Sequence, residues 1–412
     1  MRNLFKIAIR NLIRYKRRTL LTASLITIGV VFVLVFVAIS GSFKAMITGQ
    51  ITDSMMGHLQ LHRKGYVASI DNLPLNLNMK PKAYQGIAQM LKADVDVESF
   101  SPRLKFGGMF SNFTETTNIR LNGIDPEAEF KTVPLLSSRI LEGKKTLGRG
   151  EILIPALLAK GMKVKPGDPV VVVATNADGS VNGKQFIVSG ILESATGPGG
   201  RDGYVHIEDA GEVLRMTQPE VSEVAVRLKD FNRLDAAVLQ LKSKVAGEVN
   251  KQRQPMFEVH SWEDLSPFFN IARMIDVMTF FIRIMLIAIV LISIMNVMIM
   301  AVYERIREIG TIAAIGTLPN KIRSMFIIEG FCMGVVGALT GVFIGVAVIG
   351  IVNLMGIRFN FGQQKGLLLM ATINPLDVIV VSIIVIVVAV AASLQPAIRA
   401  SRMEPIDALR HV

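Results

Sequence analysis

Hydrophobic residues are concentrated in four long runs that contain no charged side chain. These runs cover residues 19–43, 284–303, 330–357 and 378–398. A helix needs about 20 apolar residues to cross the roughly 30 Å apolar core of a bilayer, and each run is long enough. The pattern predicts an integral membrane protein with four transmembrane α-helices in a 1 + 3 arrangement, with a large polar segment after the first helix.

The predicted segments are a cytoplasmic amphipathic entry helix (1–18), a first span (19–43), an extracytoplasmic domain (44–273), a second span (274–302), a cytoplasmic loop (303–324), a third span (325–357), a short outer loop (358–373), a fourth span (374–398) and a cytoplasmic tail (399–412). The first run is too long for the apolar part of a cleaved signal peptide, which favours a retained signal-anchor.

The segment between the first two spans has the mixed pattern of an α+β domain. Residues 57–62 alternate apolar and polar as a half-buried strand does, and an amphipathic helix is predicted over 81–92. Strand and turn signals follow, and the segment ends with a strand at 223–228 and a helix from 232. This order predicts two subdomains, the second a β-rich insert at about 95–218.

Charge orients the predicted spans. The net charge is +12, 51% of residues are hydrophobic and the mean hydropathy is +0.46. Basic residues crowd the first 18 positions and exceed acidic ones in the 303–324 loop and the tail, whereas the 44–273 segment is nearly balanced. This positive-inside bias predicts that both termini are cytoplasmic, and it gives no reason to expect a nucleic-acid partner.

Motifs of catalysis are missing from the sequence. It contains no G-x-x-x-x-G-K-[ST] phosphate loop, no H-E-x-x-H and no G-x-S-x-G. The single cysteine, Cys332, lies in the third span, so no disulfide can form within the chain. His58 and His62 are the closest histidine pair, and we expect a surface or turn role for them. We therefore predict no catalytic residue, no bound metal and no enzyme activity of the chain itself; a glycine-rich stretch at 197–203 is expected to be an external loop.

Ionisable and small residues near the spans have structural explanations. We expect Arg283 and Asp377 to reach towards the outer interface, and Glu329 to bond within the helix bundle or the loop below. Small residues spaced four apart let another helix approach closely. The predicted helix-packing positions in the third span are Gly330, Gly334, Gly337, Gly341 and Gly345.

The loop after the second span carries the most specific signal. Its sequence, Y-E-R-I-R-E-I-G-T-I-A-A-I-G over 303–316, runs from a charged turn into a short helix of small and apolar residues. Such a helix is too short to span a membrane. It is either a helix on the membrane surface or a helix that docks into a groove on a cytoplasmic partner.

This loop resembles the signature of the FtsX-like ABC transporter permeases, the group that includes the macrolide-exporter (MacB) and lipoprotein-release (LolC and LolE) permeases. The start of the chain, A-I-R-N-L-I-R at 8–14, is similar to the family's entry helix, and G-H-L-Q-L-H-R-K-G-Y at 57–66 resembles the lipoprotein-release branch. The ending at 396–410 is similar to the family pattern P-A-x-x-A-x-x-x-x-P-x-x-A-L-R.

The resemblance implies mechanotransmission: a separate cytoplasmic ATPase dimer closes on ATP and moves the spans and the outer domain. The 303–316 helix would be the coupling helix, with charged residues setting its docking and glycines allowing close approach. The implied ATPase-coupling residues are Tyr303, Glu304, Arg305, Arg307, Glu308, Ile309, Gly310, Ala313 and Gly316. An apolar substrate cavity between two permeases would be lined by Phe32, Phe36, Met285, Met295 and Met298.

The implied cofactors and partners follow from the same resemblance. The chain would bind no cofactor, because ATP and Mg would lie on the partner ATPase. Its partners would be that ATPase dimer, a second permease subunit in a homodimer or heterodimer, a lipoprotein or lipid substrate, and a periplasmic carrier or adaptor. The implied function is extraction of lipoproteins or lipids from the outer leaflet of the bacterial inner membrane. The alternatives are macrolide or peptide efflux with an adaptor, and a non-transporting signalling permease that regulates cell-wall enzymes.

Overall fold

The computed structural model describes residues 2–194, 202–248, 255–361 and 364–403. Part of the glycine-rich stretch at 197–203 and the last residues of the 396–410 pattern lie outside these ranges. The described chain forms two compact units. The first comprises Met1–Ala45, Arg273–Arg358 and Leu368–Val412, and the second comprises Met46–Ala272 and Phe359–Leu367.

The helices, in chain order, are α1 (Arg2–Arg14), α2 (Lys16–Ile51), α3 (Pro81–Lys92), α4 (Pro126–Thr132), α5 (Ala156–Met162), α6 (Ile207–Val213), α7 (Leu234–Val245), α8 (Trp262–Leu265), α9 (Phe269–Glu304), α10 (Ile306–Ala314), α11 (Pro319–Met355) and α12 (Pro375–Ser401). The strands are β1 (Leu59–Arg63), β2 (Val97–Ser111), β3 (Thr116–Ile124), β4 (Ile140–Gly143), β5 (Glu151–Pro155), β6 (Pro169–Thr175), β7 (Val181–Leu192), β8 (Gly203–His206), β9 (Glu223–Leu228), β10 (Phe257–Ser261), β11 (Arg358–Phe361) and β12 (Gln364–Leu368).

Four helices in the described ranges, α2, α9, α11 and α12, are long and apolar enough to cross a membrane. One precedes the strand-rich segment and three follow it, so the predicted 1 + 3 arrangement is confirmed. The helices run further than the apolar runs: α2 continues to Ile51 and α9 begins at Phe269. Hydropathy marks only the uncharged apolar stretch of a helix, whereas the helix itself ends where its backbone hydrogen bonds end.

Local sequence explains where the membrane helices begin and end. The Asn374 side chain accepts a hydrogen bond from the backbone N–H of Leu376, and Pro375 occupies the first turn, where its missing N–H costs nothing. Gly356 ends α11 with φ +58°, a left-handed conformation that glycine adopts without a Cβ clash. One hydrophobic core, whose members include Val30, Val290 and Phe326, joins α2, α9, α10, α11 and α12.

Glycines on α11 allow close packing on both sides of that helix. An added Cβ on Gly337, Gly341 or Gly345 would lie 2.5, 2.6 or 3.3 Å from a side-chain atom of α2. On Gly330 or Gly334 it would lie 2.6 Å from Ser393 or Ala389 of α12. The five glycines therefore form two contact surfaces, one for each neighbouring helix, rather than a single face.

Strands β1 to β10 form one continuous sheet in the second unit, and β11 pairs with β12 in a separate two-stranded sheet. The strand order of the continuous sheet is β10-β1-β9-β2-β3-β8-β5-β7-β4, and β6 pairs with both β2 and β7. The long strand β2 pairs with β9 along its first part and with β3 and β6 along its last part. The predicted insert edges at about 95 and 218 therefore do not coincide with a break in the sheet, and the division into two subdomains stays a prediction.

Candidate functional site

A backbone break separates the second membrane helix from the short helix that follows it. Arg305 has φ −113° and ψ 16°, so α9 ends at Glu304 and α10 starts at Ile306. At the other end, Gly316 has φ +94° and Pro319 starts α11. Helix α10 thus lies between a non-helical residue and a glycine turn, and it continues neither neighbouring span as one helix.

The two faces of α10 differ in burial. Ile309 is 2% exposed and packs in the core of the helix bundle, and Gly310 is buried beside it. Ile312 lies at the edge of the same face and is 37% exposed, and Ile315, the residue after α10, is 80% exposed. Tyr303, just before the break, is exposed as well. A contiguous exposed apolar patch with polar residues at its rim is typical of a protein contact surface.

Arg305 connects α10 to α11 through a buried ion pair. Its Nη1 donates to Glu329 Oε1 at 2.9 Å, and its Nε donates to Glu308 Oε2 at 3.2 Å. The guanidinium also lies over the Phe326 ring, 5.6 Å from the centroid. Burial alone would lower the pKa of Arg305, but the Glu329 and Glu308 carboxylates outweigh it and hold the pKa above its ordinary value. Arg305 is therefore a fixed positive charge.

Helix α1 joins the same network. Asn11 Nδ2 donates to Glu329 Oε1 at 2.8 Å, the oxygen that also accepts from Arg305. Arg14 Nη1 lies 3.2 Å from Glu308 Oε1. We call these five side chains, Asn11, Arg14, Arg305, Glu308 and Glu329, the inner polar ring.

This geometry corrects part of the predicted coupling set. Arg305, Ile309 and Gly310 are buried within the first unit, so they do not belong to an exposed docking face. Arg305 faces inward because Glu329, an acid in an apolar helix, needs a positive partner. The remaining predicted coupling residues are exposed or half-buried: Tyr303, Glu304, Arg307, Glu308, Ala313 and Gly316.

Sequence reasoning missed the partners of Glu329. Asn11 and Arg305 lie 318 and 24 positions from it in sequence, so no local pattern links the three residues. The available signal was the acid itself, because an ionisable residue within an apolar helix is expected to pair with another group. The prediction that Glu329 bonds within the bundle or the loop below it is confirmed.

The predicted substrate-cavity residues do not share one environment. Phe32 and Met285 are 53% and 47% exposed, and Phe36 and Met295 are half-buried. Met298 is fully buried in the bundle core, so its prediction as a cavity wall is wrong. It lies on the stripe of α9 that packs inward. The other members of that stripe are Leu286, Val290 and Ile294.

Ion pairs also connect the membrane helices at the ends opposite to α10. Arg283 Nη2 lies 2.8 Å from Asp377 Oδ1, and Lys44 Nζ lies 2.6 Å from Asp276 Oδ2. The expectation that Arg283 and Asp377 reach towards the outer interface stays a prediction, and the structure adds that each provides the other with a counter-charge. These pairs join α9 to α12 and to α2.

The second unit contains a buried charge cluster of its own. Glu223 accepts from Arg103 at 3.0 Å and from Lys105 at 2.9 Å, and Arg103 also pairs with Glu129 at 2.7 Å. His62 Nε2 is 3.6 Å from Glu223 Oε2. Burial raises the pKa of Glu223, but Lys105, His62 and Arg103 outweigh it, so the pKa lies well below the ordinary value.

The surface or turn role expected for the two histidines is wrong. His58 and His62 are 4% and 0% exposed. His58 Nδ1 accepts from the backbone N–H of Leu228, which ties the residue before β1 to β9. Among the described residues, no group of three or more His, Cys, Asp or Glu is placed to hold a metal ion.

Comparison with known proteins identifies the class. The family described as MacB-like periplasmic core domain matches residues 19–244, and the family described as FtsX-like permease C-terminal matches residues 280–405. These matches and the four membrane helices define an ABC transporter permease. The chain belongs to the FtsX-like ABC permeases of the MacB and LolC family.

Relatives of both branches align along most of the chain. The lipoprotein-releasing system transmembrane protein LolC of Neisseria meningitidis is 24% identical over 95% of this chain and 94% of its own length. The macrolide export ATP-binding/permease protein MacB of Nitrobacter winogradskyi is 25% identical over 95% of this chain and 58% of its own length. Among solved structures, the periplasmic region of MacB from Actinobacillus actinomycetemcomitans covers 49% of this chain and 87% of its own, at 13% identity and a TM-score of 0.34.

Proposed function

We propose that this chain is the permease subunit of a mechanotransmission ABC transporter that extracts lipoproteins or lipids from the outer leaflet of the bacterial inner membrane. The observation that carries the proposal is α10, a short helix whose inner face is locked into the spans and whose outer face is exposed. A helix of this kind suits docking to a separate cytoplasmic ATPase. ATP and Mg would lie on that subunit, since the chain has no phosphate loop.

Charge supports the orientation that docking requires. Basic residues dominate the entry segment before α2 and the loop that holds α10. This positive-inside bias favours a cytoplasmic location for both segments and for the tail. The strand-rich unit follows α2 and lies on the periplasmic side in this arrangement.

The length of the LolC alignment favours lipoprotein or lipid as the substrate. It covers nearly the whole of both chains, whereas the MacB relative extends well beyond this one. Exposed apolar side chains on the membrane helices, Phe32 and Met285 among them, suit an acyl chain or a second permease subunit. A carrier or adaptor would receive the substrate on the periplasmic side.

A second candidate is macrolide or peptide efflux, which the MacB similarity supports. A tagged chain purified from its native membranes should retain an ATPase subunit that carries a phosphate loop, identified by mass spectrometry. In proteoliposomes, a fluorescent triacylated lipopeptide should stimulate ATP hydrolysis and leave the bilayer in an ATP-dependent way. Stimulation by erythromycin and not by the lipopeptide would favour efflux. Hydrolysis that neither compound stimulates would favour the signalling alternative.

A further inference from the structure

The inner polar ring forms a closed circuit through three helices and the junction between α9 and α10. Asn11 and Arg14 lie three positions apart on α1, so they share one face of that helix. From α1 the circuit runs through Glu329 of α11, then Arg305 at the junction, then Glu308 of α10, and returns through Arg14. The chain leaves the helical conformation at Arg305, so α10 is not a continuation of α9.

The two sides of the ring differ in strength. Arg305 and Glu329 have 4% and 1% exposed side chains, so their attraction acts in a low-dielectric environment. Arg14 and Glu308 are 66% and 40% exposed, and an ion pair of that kind contributes little. The rigid side of the ring therefore runs from Asn11 through Glu329 to Arg305.

We infer that Arg305, Glu329 and Asn11 are positioning residues that make the entry helix α1 a moving part of the coupling apparatus. The inference rests on the proposed function, in which α10 docks to the ATPase. A displacement of α10 then reaches α11 through Arg305 and Glu329, and reaches α1 through Asn11. Without the ring, α10 would be attached to α11 by the glycine turn and by apolar contacts, which permit sliding.

If the inner polar ring only stabilised the fold, replacing its buried ion pair by apolar residues would leave the coupling intact. An apolar double variant therefore separates a structural role from a positioning role. Replacing a buried ion pair by apolar residues of similar volume is often neutral or stabilising. Arg305→Met with Glu329→Leu should therefore fold, insert and retain the ATPase subunit, because neither residue lies on the exposed face of α10. It removes the hydrogen bond from Asn11 at the same time. Asn11→Ala removes only the link to α1, and Arg10→Ala is the matched control on the exposed side of the same helix.

The experiment uses the purified complex with its ATPase subunit and two readouts. Spin labels at Ile13→Cys and Ile379→Cys, both exposed, report the distance between α1 and the first turns of α12, a helix that carries no ring residue, in a Cys332→Ala background. ATP with vanadate should shift this distance in the wild type and in Arg10→Ala, but not in Asn11→Ala or the double variant. Lipopeptide stimulation of ATP hydrolysis should fall about fivefold or more in both ring variants, the lower end of typical coupling between sites.

The outcomes that overturn the inference are separate from those that overturn the proposed function. A nucleotide-dependent shift that persists in the double variant, or no shift in the wild type, overturns the inference. Normal lipopeptide stimulation in both ring variants does so as well. A wild-type shift that is lost in the ring variants, together with no response to lipopeptide, supports the inference and contradicts the proposed substrate.

Discussion

Gly341 of α11 lies directly against Val30 of α2, and a Cβ on the glycine would be 2.6 Å from the valine Cβ. That separation is far shorter than a van der Waals contact, so a larger residue must push the helices apart. Gly341→Leu should lower the free energy of unfolding by about 1–3 kcal/mol, as overpacking does in a filled interior. Thermal unfolding in detergent measures the change. Gly350→Leu is the matched control, because that glycine on the same helix has no neighbour within 4 Å; equal losses would contradict the packing account.

The two faces of α10 predict opposite effects of the same substitution. Ile315→Asp places a carboxylate on the exposed face, so the variant should keep wild-type stability and lose the ATPase subunit on purification. Ile309→Asp buries an unpaired carboxylate in the bundle core and should destabilise the permease by several kcal/mol. Thermal unfolding and co-purification together separate the two. Full recovery of the ATPase by Ile315→Asp would remove the exposed face from the docking surface.

Charge-based orientation can be tested with an impermeant thiol reagent. In a Cys332→Ala background, Ala177→Cys in the turn between β6 and β7 should react in cells with a permeabilised outer membrane. Asn320→Cys, at the start of α11, should react only after the inner membrane is broken. Both positions are exposed, so access to the reagent decides the result. Reaction of Asn320→Cys in intact spheroplasts would reverse the assigned topology.

Glu223 should make the stability of the second unit sensitive to acid. Its pKa lies well below the ordinary value of 4.5, so its ionised form stabilises the folded state at every pH above that value. The contribution is lost as the pH falls below 4.5 and through the folded-state pKa. Glu223→Gln should cost about 3 kcal/mol at pH 7, as expected when one partner of a buried ion pair is removed, and should flatten the acid dependence.

Urea unfolding of the full chain at several pH values, followed by fluorescence of Trp262, measures the effect of Glu223→Gln. Glu115→Gln, on the exposed turn between β2 and β3, is the charge-matched control and should behave as wild type. An unchanged acid dependence in Glu223→Gln would assign the acid sensitivity to other carboxylates.

The sequence predicts what depends on local patterns. Apolar runs located the four membrane helices, and the alternation of apolar and polar residues located β1, because each signal lies in consecutive residues. The charged turn and the small residues of 303–316 likewise located α10. The burial of individual side chains was harder to predict. Arg305 is charged and Met298 is flexible, so each would suit an exposed site. Only the packing of distant helices shows that both are buried.

The continuity of the sheet could not be predicted from local sequence patterns either. Strand β2 looks like the start of an inserted β-rich region because strands follow it along the chain. In the structure its first part completes the layer that β1, β9 and β10 form, since β9 returns from residue 223 to pair with it. Pairing over such a separation leaves no trace in the spacing of apolar residues.

The burial of Glu329 has a consequence for biogenesis. A carboxylate within an apolar helix adds a few kcal/mol to the cost of releasing that helix into lipid. During synthesis, Arg305 leaves the ribosome 24 residues ahead of Glu329, and Asn11 leaves long before both. The groups that neutralise and bond the carboxylate are therefore already synthesised when α11 reaches the translocon. The order of the chain lets the third span be inserted as part of a preassembled bundle rather than as an isolated helix.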